Sequence, residues 1–188
     1  QQTGVKTVQT YYTNFINKWP KIQNLNEANE DDVLKEWSGL GYYRRAINLK
    51  KCAGVICKDY NGKFPDIEKE LLKLPGIGSY TAAAIISIAF DKPAIVIDGN
   101  ILRITSRLYE IKEDIKKSKS EIYKKLEKIS SKKRPGDFAQ ALMDLGSKIC
   151  KPVNPKCDSC PLLKYCLAHK NNTYKSIPLK TKKLNKVY

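Results

Sequence analysis

Four cysteines lie within 17 residues near the end of the chain, and this cluster constrains the fold more than any other feature. They follow the pattern C-x6-C-x2-C-x5-C and are Cys150, Cys157, Cys160 and Cys166. The opening residues contain neither a basic n-region nor an apolar h-region, so no secretory context favours disulfides. Four thiolates this close together therefore predict a metal centre.

The spacing of the cysteines also bears on the identity of the metal. Structural zinc sites usually combine two pairs of closely spaced ligands, and this sequence contains a single C-x2-C pair. The longer and uneven gaps are typical of a chain that wraps around an iron–sulfur cluster, which is larger than one ion. We therefore predict a 4Fe–4S cluster, and spacing alone leaves zinc open as the alternative.

The charge balance indicates the partner. The chain has 188 residues, with 35 lysines and arginines against 19 acids, for a net charge of +16. This excess predicts a polyanion, most often nucleic acid, although a lysine-biased genome would explain part of it. No apolar run approaches the roughly 18–20 residues of a membrane helix. We therefore expect no membrane partner.

Apolar periodicity predicts an all-α fold. Val8, Tyr12 and Phe15 recur at helical spacing, and Asn29 is the predicted N-cap of "EDDVLKEW". The segment "AIVIDGN" is apolar enough for a strand, but it is too isolated to belong to a sheet. We interpret it as a buried connector that leads into the helix "NILRITSRLYEI".

Two segments between helices share the pattern Gly-apolar-Gly-x-Tyr. They are "GLGYY", from Gly39 to Tyr43, and "GIGSY", from Gly76 to Tyr80. A glycine turn before a helix lets backbone N–H groups approach a phosphate closely. Each turn alone could simply join two helices, but two of them in one basic helical chain favour a DNA-facing surface.

These features together resemble the endonuclease III superfamily of DNA glycosylases. The motifs that carry the resemblance are the cysteine spacing, "LPGIGSYTA" and "IDGN". Within that superfamily, "QQT", "WSGLGYYRRAINL", "VIDGN" and "ALMDLG" are similar to the MutY-type adenine DNA glycosylases. The resemblance covers essentially the whole chain.

The resemblance implies a helix-hairpin-helix glycosylase fold with two lobes. A six-helix barrel lobe would span residues 1–94 and contain the hairpin at about 70–90. An iron–sulfur lobe would span residues 95–188, with the cluster loop at 150–166 and a basic C-terminal tail. The implied enzyme flips adenine mispaired with 8-oxoguanine or guanine out of double-stranded DNA and hydrolyses its N-glycosidic bond.

The resemblance also implies roles for four residues in catalysis. Asp98 matches the aspartate that stabilises positive charge on the sugar, although N-capping explains the same residue. Asn100 would lie near the reacting sugar, and Asp144 near the flipped base. Tyr80 replaces the lysine with which bifunctional lyases form a Schiff base, so the implied enzyme is monofunctional.

Further residues are implied to contact DNA. Tyr42 and Tyr43 would wedge into the duplex and Gln2 would fill the vacated stack. Tyrosines beside Trp37 could instead be core residues, but "GLGYY" repeats the family's residues one for one and favours the wedge. The implied phosphate contacts are Arg44, Gly76, Gly78, Ser79 and Thr81.

Two departures from the family leave other functions open. The general-acid glutamate of the family stands a few residues upstream of "QQT", and this sequence begins at Gln1. The domain that recognises 8-oxoguanine would follow the last residue given. The alternatives are therefore a catalytically impaired DNA-binding module and a mismatch thymine DNA glycosylase.

Overall fold

The computed structural model describes residues 5–179, with side chains from residue 7 onward. This part of the chain contains helices, one isolated bridge between Asp114 and Leu179, and no strand. The prediction of an all-α fold is therefore confirmed. No helix in the described range is long and apolar enough to cross a membrane.

Contacts between residues divide the chain into two units that meet at Ala82 and Ala83. The predicted lobe boundary at residue 94 stays a prediction. The helices of the first unit are α1 (Val5–Lys18), α2 (Ile22–Glu27), α3 (Glu30–Glu36), α4 (Arg44–Asp59) and α5 (Glu68–Leu71), and α6 (Ser79–Ala84) spans the boundary.

The first unit has its core beneath α2, α3 and α4. Its buried members are Trp19, Leu25, Val33, Ala46 and Ala53. The ring of Phe15 packs edge-on against Trp19, with the centroids 4.7 Å apart. Asn29 caps α3 as predicted, because its side chain accepts a hydrogen bond of 3.1 Å from the backbone N–H of Asp31.

The second unit begins with a π-helical turn, Ile85–Ala89, that continues α6. Its other helices are α7 (Gly99–Leu108), α8 (Lys119–Ile129), α9 (Pro135–Lys148) and α10 (Leu167–Lys170), with short 3-10 turns at Cys157–Ser159 and Leu163–Tyr165. The segment before α7 has no regular structure and buries Val96, which confirms the predicted connector.

Two glycines let α9 lie close to its neighbours. A Cβ on Gly146 would stand 2.5 Å from Cβ of Asn100 on α7. A Cβ on Gly136 would stand 2.6 Å from the carbonyl oxygen of Ser87 in the π-helical turn. Because real Cβ atoms do not approach other atoms this closely, both positions require glycine, and the Gly146 contact fixes where Asn100 lies.

Candidate functional site

Asp98 stands at the N-cap of α7 and uses both of its carboxylate oxygens. Oδ1 accepts a 2.7 Å hydrogen bond from the backbone N–H of Ile101. Oδ2 accepts a 3.0 Å bond from Nδ2 of Asn100. The capping role is therefore present, and the two bonds hold the carboxylate in one direction. The catalytic role of Asp98 stays a prediction.

A chain of hydrogen bonds leads from Asp98 to the first cysteine of the cluster. Nη2 of Arg103 donates to Oδ1 of Asn100 at 2.9 Å and to the carbonyl of Gly146 at 2.8 Å. Nε of Arg103 donates to the backbone carbonyl of Cys150 at 2.8 Å. Arg103 is only 9% exposed, so these hydrogen bonds take the place of the water that burial removes. Burial lowers the pKa of its guanidinium.

Arg107, one helical turn further along α7, binds the cluster loop directly. It is 3% exposed. Its guanidinium donates to the carbonyl oxygens of Ile177, Lys151 and Pro152 at 2.9, 2.7 and 3.1 Å. Its Nη1 also lies 3.4 Å from Sγ of Cys150. None of the motifs points to Arg103 or Arg107. The one available signal is a pair of arginines four residues apart on an amphipathic helix.

The four cysteines surround a common cavity of about 30 Å³. Arg107, His169 and Tyr174 also line it. Between residues 5 and 179, no three or more Cys, His, Asp or Glu side chains converge where they could hold a single metal ion. Four cysteines around one cavity are a ligand set that suits an iron–sulfur cluster, which proteins hold through cysteine thiolates.

The protonation of the thiols bears on how the site would be filled. Burial raises the pKa of the Cys157 thiol, and the neighbouring cysteines raise it further. Burial also raises the pKa of the Cys160 thiol. Without a metal both groups favour the neutral thiol, and a bound metal deprotonates a coordinating thiol outright. Metal binding at this loop therefore releases protons.

The glycine turn before α6 contains one residue in the left-handed backbone region. Gly76 adopts a φ of +77°, and a Cβ there would stand 2.8 Å from Cβ of Asn48. Gly78 has nothing within 4 Å of its would-be Cβ, so this side of the turn is open. Ser79 is exposed, and Tyr80 and Thr81 are half-buried. The predicted phosphate contacts of this turn stay predictions.

The second glycine turn presents its aromatic residues to solvent. Tyr42 is 66% exposed, Tyr43 is 47% exposed, and Arg44 beside them is also exposed. The alternative that these tyrosines belong to the core is therefore wrong. The guanidinium of Arg45 lies 5.3 Å from the ring of Tyr42 and 5.6 Å from the ring of Trp37. This contact holds Tyr42 in position from one side.

The remaining predicted site residues are Asp144 and Gln2. Asp144 is exposed on α9, and its carboxylate pairs with Nζ of Lys148 at 2.7 Å. Its predicted place near a flipped base stays a prediction. Gln2 lies outside the described residues.

Comparisons with known proteins agree with this description. The family model described as "HhH-GPD superfamily base excision DNA repair protein" matches residues 1–132. The model described as "Iron-sulfur binding domain of endonuclease III" matches residues 150–166, which contain all four cysteines.

Individual relatives and solved structures also match most of this chain. An adenine DNA glycosylase of Buchnera aphidicola subsp. Schizaphis graminum is 44% identical over 97% of this chain and 53% of its own length. The structure of a thermostable thymine-DNA glycosylase matches with a TM-score of 0.81 and 30% identity, over 91% of this chain and 80% of that one. A non-covalent endonuclease III–DNA complex matches with a TM-score of 0.77 and 28% identity, over 91% and 79%.

The chain spans about half the length of the bacterial curated relatives it matches. The predicted helix-hairpin-helix glycosylase fold is confirmed by both structural matches.

Proposed function

Because the chain belongs to the HhH-GPD superfamily of base excision DNA repair proteins, we propose that it is the core of an adenine DNA glycosylase. One observation carries the proposal, namely 44% identity to a protein of that name over 97% of this chain. The proposed substrate is double-stranded DNA in which adenine is mispaired with 8-oxoguanine or guanine. The protein would act as a monomer on nucleoid DNA in the bacterial cytoplasm.

The proposed reaction breaks the bond between adenine and its deoxyribose. The base must first leave the duplex, because its glycosidic bond is unreachable inside the stack. The bonding electrons then leave with adenine, which takes up a proton, and water supplies the hydroxyl group to the sugar. The carboxylate of Asp98, held by Ile101 and Asn100, stabilises the positive charge that develops on the sugar.

Tyr80 supports a monofunctional reaction. A phenol carries no amine, so it forms no Schiff base with the sugar. The proposed product is therefore an intact strand with an abasic site. Asn100 would assist near the sugar, and Asp144 would lie near the flipped base.

The two glycine turns support the proposed DNA contacts. The open side of Gly78 gives a phosphate access to backbone N–H groups, with the hydroxyls of Ser79 and Thr81 beside it. The exposed rings of Tyr42 and Tyr43 would wedge into the duplex, Gln2 would fill the vacated stack, and Arg44 would reach a phosphate.

The proposed cofactor is a 4Fe–4S cluster held by Cys150, Cys157, Cys160 and Cys166. Four sulfurs around one cavity support this choice. When bound, the cluster cross-links the loop from 150 to 166 through its thiolates. Arg103 then joins that loop to Asn100 and so to Asp98.

Single-turnover cleavage tests the proposal. Duplexes with adenine opposite 8-oxoguanine, or thymine opposite guanine, are incubated with this chain. In parallel they are incubated with the polypeptide expressed from the complete open reading frame that encodes this chain. We expect adenine release and an abasic product. Thymine release instead would favour the mismatch thymine glycosylase that the 0.81 TM-score supports as second candidate. Tight binding with no release from either polypeptide would favour a DNA-binding module.

Two controls sharpen the assay. Asparagine is as good an N-cap as aspartate, so Asp98→Asn keeps the helix start and removes the charge. We expect it to slow release by about 100-fold or more, and an unchanged rate would reduce Asp98 to a cap. Borohydride trapping of a covalent enzyme–DNA adduct in high yield would overturn the monofunctional reaction.

A further inference from the structure

Arg107 is a buried cation whose contacts suggest a purpose beyond packing. Its guanidinium is 3% exposed, and burying a charge is costly unless its N–H groups and its charge are both compensated. Three backbone carbonyl oxygens accept its hydrogen bonds. Carbonyls satisfy the N–H groups but carry no net charge, so they leave the positive charge without an anion.

The remaining contact of Arg107 is with sulfur. Its Nη1 lies 3.4 Å from Sγ of Cys150, and no carboxylate among residues 5–179 shares a hydrogen bond or ion pair with its guanidinium. Arg107 also lines the cavity around which all four cysteines stand. The Cys150 thiolate is thus the anionic group that this cation contacts when the cavity is filled.

The charge of the filled site is opposite to that of Arg107. Four thiolates outweigh the positive charge of a 4Fe–4S core, so the assembly is anionic as a whole. Hydrogen bonds to its sulfurs and nearby charges set the reduction potential of such a cluster. A cation at one thiolate favours the reduced form, which carries one more negative charge.

We propose that Arg107 is the N–H donor and counter-cation of the Cys150 thiolate, and that it raises the reduction potential of the cluster and slows loss of iron. This inference rests on the proposed 4Fe–4S cofactor. It assigns Arg107 a positioning and electrostatic role at the cofactor, separate from the chemistry at the sugar.

Arg103 provides a matched control on the same helix. It is also buried, and its Nε donates to the backbone carbonyl oxygen of Cys150. Its charge also acts on the Cys150 thiol, but the hydrogen bond of 3.4 Å to that sulfur is made by Arg107. Removing either arginine deletes one buried positive charge from α7. Both variants therefore lose a charge that acts on the Cys150 thiol, and Arg107→Met alone also loses the 3.4 Å hydrogen bond to its sulfur.

Redox titration of the iron- and sulfide-loaded chain tests the proposal. We expect Arg107→Met to shift the one-electron reduction equilibrium about tenfold toward the oxidised cluster, which is a potential lower by about 59 mV. Arg107→Lys should fall between Arg107→Met and the unmodified chain, and Arg103→Met should shift the potential less. Iron loss to a chelator, followed by visible absorbance, should be about tenfold faster in Arg107→Met. Equal potentials in Arg107→Met and Arg103→Met, or no shift in either, would overturn the proposal.

A second measurement needs no variant and decides the matter if the substituted chains do not fold. The unmodified chain is prepared with ¹⁵N-labelled arginine, loaded, reduced, and examined by pulsed electron paramagnetic resonance. We expect a hyperfine coupling from an arginine nitrogen, and the lack of one would overturn the proposal. Iron and sulfide analysis of the same sample tests the cofactor itself. A chain that binds no iron–sulfur cluster overturns both, whereas a cluster without arginine coupling overturns only the role of Arg107.

Discussion

Nε of Arg103 donates a 2.8 Å hydrogen bond to the backbone carbonyl oxygen of Cys150. The same guanidinium holds Oδ1 of Asn100, whose amide nitrogen in turn donates to Asp98. One buried side chain therefore joins the first cysteine of the cluster loop to the carboxylate proposed for catalysis. The orientation of Asp98 depends on the cluster loop through this connection.

Arg103→Met should slow adenine release while leaving DNA binding nearly unchanged. Losing the guanidinium frees the amide of Asn100, so Asp98 keeps its cap bond but loses the donor on Oδ2. We expect a rate at least about tenfold lower in single turnover, which corresponds to about 1.4 kcal/mol in the barrier. The measurement pairs this rate with the dissociation constant for an undamaged duplex. A normal rate with an intact cluster would show that Asn100 is held without Arg103.

Gly146→Ala should destabilise the second unit. The new Cβ would meet Cβ of Asn100 at 2.5 Å, and overpacking of this kind costs about 1–3 kcal/mol. Urea unfolding followed by circular dichroism measures the change. Gly99→Ala is the matched control, because nothing lies within 4 Å of its would-be Cβ. Equal stability of the two variants would contradict the close contact of α9 with α7.

Glu70 should make the stability of the first unit depend on pH. Hydrogen bonds from Nζ of Lys73 and from the hydroxyl of Tyr60, at 2.7 and 2.9 Å, lower the pKa of its carboxyl. A lowered folded-state pKa stabilises the fold above the unfolded value of about 4.3, and this contribution is lost as the pH falls through the folded-state pKa.

The unfolding free energies of the unmodified chain and Glu70→Gln should therefore differ at pH 7 and converge below about pH 4. Urea titrations at several pH values measure this difference. Because both proteins carry the same cluster loop, acid damage there affects them alike. Glu68→Gln, on the same helix α5 and exposed, is the control. A difference that grows as the pH falls would contradict the sign of the pKa shift.

Arg45→Met should weaken base flipping more than DNA binding. The guanidinium contacts the rings of Tyr42 and Trp37, and such contacts contribute about 0.5–2 kcal/mol. Without them the exposed Tyr42 loses its support, so we expect up to about tenfold less of the flipped state. Fluorescence of 2-aminopurine at the target position reports flipping. Arg44→Met, which changes the neighbouring exposed arginine, controls for lost charge, and equal effects would contradict a role in holding Tyr42.

Short-range patterns predicted a large part of this protein. The cap at Asn29, the connector before α7, the glycine turn at Gly76 and the cysteine-bearing loop all follow from residues a few positions apart. Each of them depends on residues close in sequence. A helix cap, a glycine with a positive φ and a closely spaced cysteine pair are all set by the few residues around them. The exposure of Tyr42 and Tyr43 was not predictable in this way, because it depends on which side of the turn faces the core.

By itself, the sequence determined the helical fold, the cap of α7 by Asp98 and the set of four cysteines, since each depends on spacing along the chain. Only the tertiary structure decided the contacts of Arg103 and Arg107. Their partners Cys150 and Ile177 stand 47 and 70 residues away in sequence, and their burial depends on how α7 packs against α9 and the cluster loop. An arginine on an amphipathic helix looks like a solvent-exposed charge until packing removes it from water and carbonyl and sulfur acceptors replace that water.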